Sequence, residues 1–282
     1  MNITVNKQND LAYEAMLDSL IQEVFGFSFA PWFERKLWDD RYESYSIIED
    51  GKMLANVCIY KSEMLIKGKK VNANQFGAVA TSNEARGRGL SRLLIEHVLS
   101  IYPDTPAYLA ANPSVIDFYP QFGFRQIKTY NAGLEISINN KSSGAIKCKI
   151  DDKIVIDMLS GKRLYSSLVD CTNSQSIQMF HLIMSYSDNI YYLPKCKALV
   201  VAVQEEDELF MADVITKTPI CFNDLVAELP FNGVSEVGFG FCPDWLNVDY
   251  EWEQKDMEEE PHFIRGEWEL PEKFCFPAMS ET

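Results

Sequence analysis

Along the chain, the spacing of apolar positions changes from helical to alternating and back several times. Over residues 10–25, Leu11, Ala15, Leu20, Ile21 and Val24 fall at helical spacing, and Asp10 stands where an N-cap would. Pro31 is placed to open a second short helix reaching Trp38. The pattern then becomes that of strands. Residues 45–49 and 53–60 flank Asp50 and Gly51 as the arms of a hairpin, and Lys67, Gly68 and Lys69 turn the chain into a third strand over 71–80. Gly77 inside that strand predicts a bulge or a close backbone approach. A helix over 90–100 carries Leu90, Leu93, Leu94 and Val98 on one face, and a short buried strand follows at 107–111. Ser114 and Asp117 have the spacing of a capping box for a short helix that Pro120 ends, and Gly123 and Phe124 begin another strand.

The polar cluster at 139–144 is the best place to divide the chain, giving units of 1–138 and 139–282. Beyond it, 174–186 reads as helix, and 190–193, 198–204 and 209–215 read as strands. Asn223 is placed to cap a short helix, and 236–241 forms one more strand. The second unit therefore echoes the first: three strands, a helix, a strand. The fold class is α/β in an α+β layered arrangement, with a mixed central sheet followed by a second, smaller α/β module.

Composition narrows the class. At 282 residues and 47% hydrophobic, the chain can fill two packed cores. It contains no apolar run near the roughly 20 residues of a membrane span, and its first residues lack the layout of a signal peptide. The seven cysteines are scattered and read as reduced core thiols; the three histidines do not cluster, so no metal site is expected. The expectation is a cytoplasmic protein without metal or membrane. A net charge of −15 and the want of a basic stretch argue against nucleic acid as partner, whereas an acidic surface tolerates a cationic one. Much of the acid lies in 249–260, which reads as a solvated face or loop.

One loop departs from this acidic background. Arg86, Arg88 and Arg92 fall within seven positions, interleaved with Gly87 and Gly89, between the third strand and its helix. Glycines let the backbone turn sharply toward an anion, and a helix N-terminus adds unsatisfied N–H groups and a positive dipole end. The loop is not a P-loop, and Arg92 stands where a dinucleotide-binding loop needs its third glycine. The order Arg86-Gly87-Arg88-Gly89-Leu90-Ser91 instead resembles the acyl-CoA signature of the GNAT superfamily of N-acetyltransferases, with Ser91 in place of the usual Gly or Ala. A second resemblance lies downstream in Asn112, Phe118, Tyr119, Gly123 and Phe124. The two together cover roughly residues 10–130. The whole chain is also similar to a two-domain bacterial branch of that superfamily, through Trp38, Arg41, Tyr42, Tyr45 and Ser46, through Phe118, Tyr119 and Pro120, and through residues 273–280.

The resemblance implies a GNAT fold in residues 1–138 and direct transfer of an acetyl group from acetyl-CoA to a primary amine of a small molecule or peptide. It implies that Val79, Thr81, Arg86, Gly87, Arg88, Gly89, Leu90, Ser91, Asn112 and Tyr119 hold the CoA. It also implies that Tyr119 protonates the departing thiolate. The superfamily often places a general base at the start of the strand before the loop, but Ala73, Asn72, Asn74 and Gln75 do not titrate there. The acceptor pocket beside the first two helices makes Trp32, Trp38, Tyr42 and Tyr45 candidates to line it. The second unit has no Arg-x-x-Gly motif. It is expected to be a degenerate GNAT-like or related α/β module that roofs the acceptor cleft or forms a homodimer interface. Two other readings stay open: a CoA-binding sensor or scaffold without turnover, and an enzyme for longer acyl chains.

Overall fold

The structure, a computed structural model, describes residues 2–6, 8–140, 143–172 and 174–282. Lys141 and Ser142 of the expected boundary cluster lie outside the described residues. The first half runs β1 (Ile3–Asn6), α1 (Leu11–Phe25), α2 (Ala30–Glu34), β2 (Tyr42–Glu49), β3 (Lys52–Ile66), β4 (Lys69–Thr81), α3 (Leu90–Ile101), β5 (Ala107–Ala110), β6 (Arg125–Ile127) and β7 (Tyr130–Asn139). The second runs β8 (Ile146–Lys147), α4 (Lys153–Ser160), β9 (Val169–Thr172), α5 (Gln175–Met184), β10 (Ile190–Leu193), β11 (Ala198–Glu205), β12 (Glu208–Thr216), α6 (Phe222–Glu228), β13 (Asn232–Phe239), β14 (Glu251–Gln254) and β15 (His262–Arg265). None of the described helices is long and apolar enough to cross a membrane.

Local chemistry sets the expected starts and turns. The Asp10 carboxylate accepts from the Ala12 and Tyr13 amides, both at 3.1 Å, and satisfies two of the N–H groups that open α1. Asp50 and Gly51 both take positive φ, the backbone of a tight hairpin turn between β2 and β3. Two expectations are corrected. The helix opening near Pro31 stops at Glu34 rather than running to Trp38, and Lys36 beyond it adopts positive φ. No helix starts at Ser114; Asn112 takes the cap instead, its side-chain oxygen accepting from the Ser114 amide at 2.9 Å, and two short 3₁₀ turns follow.

Two mixed sheets organise these elements, in the orders β1-β2-β3-β4-β5-β15-β6, with β9 added beside β3, and β8-β10-β11-β12-β13-β7-β14. The orders are the same pattern twice. In each, a three-stranded antiparallel meander meets a parallel neighbour, β4 with β5 and β12 with β13, across a helix, α3 or α6. Two helices precede each meander, α1 and α2 in one case, α4 and α5 in the other.

The strands do not sort by the division at residue 139. After β6 the chain crosses over, and β7 enters the second sheet between β13 and β14. After β14 it crosses back, and β15 enters the first sheet between β5 and β6. Each half thus completes the other. The acidic stretch expected to be a solvated face or loop contributes β14, a largely exposed strand at the edge of the second sheet. β15 is buried on both faces: Phe263 joins the core between the first sheet and α3, and Ile264 packs with Phe274 and Phe276 on the other side. A buried ionic group within the second half ties the two sheets as well. Lys162 Nζ sits 2.8 Å from Asp213 on β12 and 3.9 Å from Asp170 on β9.

Candidate active site

The site forms where β4 and β5 part. They pair at Asn74–Ala107 and Gln75–Tyr108 and diverge beyond, leaving a cavity of about 920 Å³ between them. Parallel strands that separate in this way expose backbone groups that a ladder would otherwise consume.

The expected irregularity at Gly77 is a bulge in β4. Asn56 of β3 faces Ala80 and Cys58 faces Gly77, so Val57 stands opposite both Ala78 and Val79. Ala78 is held at a φ of 46°, a conformation rare for a residue with a side chain. A buried polar network holds it there. Asn56 Nδ2 donates to the Ala78 carbonyl at 3.1 Å, while Asn56 Oδ1 accepts from the Ser44 and Ser46 hydroxyls at 2.6 and 2.9 Å. Tyr13 Oη closes the network on the same two serines at 2.7 and 2.5 Å. Gly77 is also a close approach: a Cβ there would lie 2.5 Å from Thr282 Oγ1, and Thr282 is one of the residues that line the cavity.

The Gly-Arg loop forms the outer end. Gly87 and Gly89 adopt φ of 76° and 75°, which a side chain would strain, and Gly89 caps α3 without any side-chain acceptor. The first amides of α3 therefore face the cavity mouth unsatisfied by a cap, beside Arg86 and Arg92. Ser91 bonds to Thr81 across 2.6 Å, tying the end of β4 to the start of α3.

Tyr119 lines the inner wall and is buried against Phe118, Phe124 and Phe263. The last of these belongs to β15, so a strand from the second half supports this ring. Burial pushes the Tyr119 phenol up to about 12.

Nine of the ten residues expected at the CoA site line this one cavity: Val79, Thr81, Arg86, Gly87, Gly89, Leu90, Ser91, Asn112 and Tyr119. Arg88 is not among the lining residues; it pairs with Glu49 at 3.0 Å. Of the acceptor candidates, Trp32 and Tyr42 line the cavity, whereas Trp38 and Tyr45 do not. Trp38 is buried with its indole N–H on the Tyr42 carbonyl, and Tyr45 donates to Glu43 at 2.6 Å in another part of the core. The sequence reading missed Phe25, Phe27 and Phe29, whose spacing i, i+2, i+4 is that of a strand face but falls across the end of α1 and the segment after it, and Ile177 and Phe180, which come from α5 of the second half. Thr282 was equally invisible, being brought in from the far end of the sequence.

Residues 5–127 match the acetyltransferase (GNAT) domain family. The fold recurs in a conserved protein of Enterococcus faecalis described as a probable N-acyltransferase, at 15% identity and a TM-score of 0.57, covering 94% of this chain and 73% of that one. It recurs in Eis1 of Mycobacterium abscessus, at 12% identity and a TM-score of 0.58 with the same coverages of 94% and 73%. A putative acetyltransferase of Pyrococcus horikoshii is similar over 99% of this chain and 96% of its own, at 9% identity and a TM-score of 0.52. At such identities the likeness speaks for the fold alone. No curated protein matches the sequence.

The class that this fold and family match define is an acyltransferase. The family match over residues 5–127 spans both of the sequence motifs.

Proposed function

We propose that the protein transfers an acetyl group from acetyl-CoA directly to a primary amine. The observation that carries the reading is a single cavity holding the bulged strand, the uncapped helix start and Tyr119 together. Acetyl-CoA would supply the activated acyl group as a thioester. The residues fit it: the amides of α3 with Arg86 and Arg92 suit a pyrophosphate, and the parted β4 offers backbone partners to an extended amide-bearing arm.

Each protein group then has a defined task. The N–H groups beside the bulge at Ala78 and Val79 stabilise the negative charge that grows on a thioester oxygen under attack. One such donor is worth on the order of 3 kcal/mol where it has been measured in other enzymes. Asn56 positions that bulge. Tyr119, protonated throughout the working pH range because burial favours the neutral phenol, gives its proton to the leaving thiolate. A thiol pKa of about 8.5 makes this assistance modest, so loss of the hydroxyl slows turnover without abolishing it.

Calorimetric titration with acetyl-CoA tests the reading. The wild type should bind with micromolar affinity, and Arg86→Ala/Gly89→Glu should lose that binding, because the glutamate places a negative charge among the phosphates. No binding by the wild type sinks the proposal. Binding without thiol release across a broad set of amines would favour the sensor reading.

A further inference from the structure

The cavity continues past the bulge into a chamber whose chemistry differs from that of the loop end. Its wall is Phe25, Phe27, Phe29, Trp32, Tyr42 and Phe180, drawn from α1, the segment after it, α2, β2 and α5. The rings stand as a cage. Phe180 meets Phe29 edge-on at 5.4 Å and Phe27 at 6.2 Å, and Phe25 stacks on Phe27 at 6.0 Å with 28° between planes. Trp32 and Tyr42 are almost wholly buried, but Phe25 and Phe27 stay 44% and 36% exposed. A cluster of large aromatic surfaces left open to solvent on the approach to a reaction centre marks a place that something apolar covers. Trp32 is also held in place before a ligand arrives, its indole N–H donating to the Ser176 carbonyl at 3.0 Å.

We infer that the acceptor is a monoamine whose remaining bulk is aromatic, of the arylalkylamine kind, with its ring in this cage and its nitrogen at the bulge. The inference rests on the acetyl-transfer reading and deepens it. Three physical arguments select this class. The open edges and faces of Phe25, Phe27 and Phe180, backed by the buried rings of Phe29, Trp32 and Tyr42, offer a planar ring the offset and edge-on contacts that aromatic groups prefer. An amine must attack as the free base, and an apolar chamber disfavours the ammonium form, so desolvation itself supplies part of the deprotonation. A polyamine or amino sugar would bring further charges and hydroxyls to a wall that, among the described residues, carries no acidic side chain, leaving them without partners at a large desolvation cost. The acidic outer surface therefore attracts cations in general, while the chamber selects among them.

In the reaction the amine nitrogen bonds to the acetyl carbon and the carbon–sulfur bond breaks. The electron pair leaves on sulfur, which takes the Tyr119 proton; the amine's own proton passes to solvent, and solvent returns one to the Tyr119 phenolate.

The test is thiol release from acetyl-CoA by the intact protein at one pH, across 2-phenylethylamine, tryptamine, butylamine, 1,4-diaminobutane, spermidine and glucosamine. The arylalkylamines should exceed butylamine in kcat/KM by about 10- to 100-fold, the discrimination that a filled apolar pocket provides, and should exceed the polar amines by more. Phe27→Ala and Phe180→Ala should raise KM for 2-phenylethylamine about 10-fold with little change in kcat, because the lost contacts hold the ground state and transition state alike. Equal or better use of diamines or glucosamine, with acetyl-CoA binding intact, overturns the inference and leaves acetyl transfer standing. So does tighter binding of longer acyl-CoA chains that Phe180→Ala abolishes, which would make the cage an acyl pocket. Failure of acetyl-CoA to bind is the distinct result that removes the parent reading. The amine series on the wild type needs no variant, so it stands even if a cage substitution unfolds the protein.

Discussion

The two halves share one strand plan, yet only one keeps its central opening clear. In the first, β4 and β5 part around a cavity of about 920 Å³. In the second, the corresponding pair, β12 and β13, is joined from Glu208–Glu236 to Met211–Phe239, and the space beyond is filled by the chain itself. The Ala278 amide donates to the Gly240 carbonyl at 2.7 Å, and Met279 lies buried against Val201, Ala212 and Leu182. The connection to the following helix also differs. Where the first half has Gly87 and Gly89 with positive φ, the second has Thr218 and Pro219. A fold that parts two parallel strands creates an opening by geometry alone; whether it becomes a ligand site depends on the loop beside it and on what else reaches into it.

The comparison can be broken most severely by separating the halves. A chain ending at residue 138 loses β15, leaving β5 and β6 without the strand between them, and strands β7 without its partners β13 and β14. We expect no cooperatively folded product, read by a missing thermal transition and aggregation on expression; a soluble, active fragment would refute the shared-sheet account. Next in size, Met279→Ala should cost about 2–5 kcal/mol, the range for emptying a buried methionine site, measured by urea unfolding. It should leave the affinity for CoA at the first cleft nearly unchanged, since the plug belongs to the second opening.

Asn56→Ala has a smaller effect on stability but a sharper one on chemistry. Without the amide holding the Ala78 carbonyl, the bulge loses its register, and kcat should fall about 10- to 100-fold. Acetyl-CoA affinity should change much less; an equal loss in both would mean that Asn56 merely supports the strand. The smallest expected effect concerns residues 277–282. His262 Nε2 lies 3.2 Å from Glu281, and although burial opposes its charge, the Glu281 carboxylate outweighs it and raises the His262 pKa. A raised folded pKa contributes stability that is complete below the unfolded value of about 6.5 and lost as pH rises through the folded one. Glu281→Gln should therefore destabilise the protein by about 1 kcal/mol in mild acid and by almost nothing at about pH 9, seen as converging melting temperatures.

Much of the donor end could be read from the sequence because its signals are local. Asp10 caps a helix a few residues away, and Gly87 and Gly89 bend the segment in which they sit. Gly77 announced a bulge, though not that Asn56, paired across a hairpin, would hold it. What could not be read was placement over long separations. The four residues of β15 follow an acidic stretch and carry no turn or alternation that names β5 as a neighbour. Phe180 belongs to a helix whose apolar face could have packed anywhere in the second half. Trp38 and Tyr45 were drawn toward the acceptor site by the pocket position that the resemblance implies, and their hydrogen bonds commit them to the core.

The exchanged strands also set a timetable. His262 pairs with Ala110 and Phe263 supports Tyr119, contacts separated by some 150 residues of chain. Closing so long a loop is slow, and during synthesis it cannot begin until the late residues have emerged from the ribosome. The Gly-Arg loop and its helix are made early, but the wall beside Tyr119 is missing until then. A nascent chain therefore carries a cleft with one wall missing from the time Tyr119 is made until Phe263 has emerged.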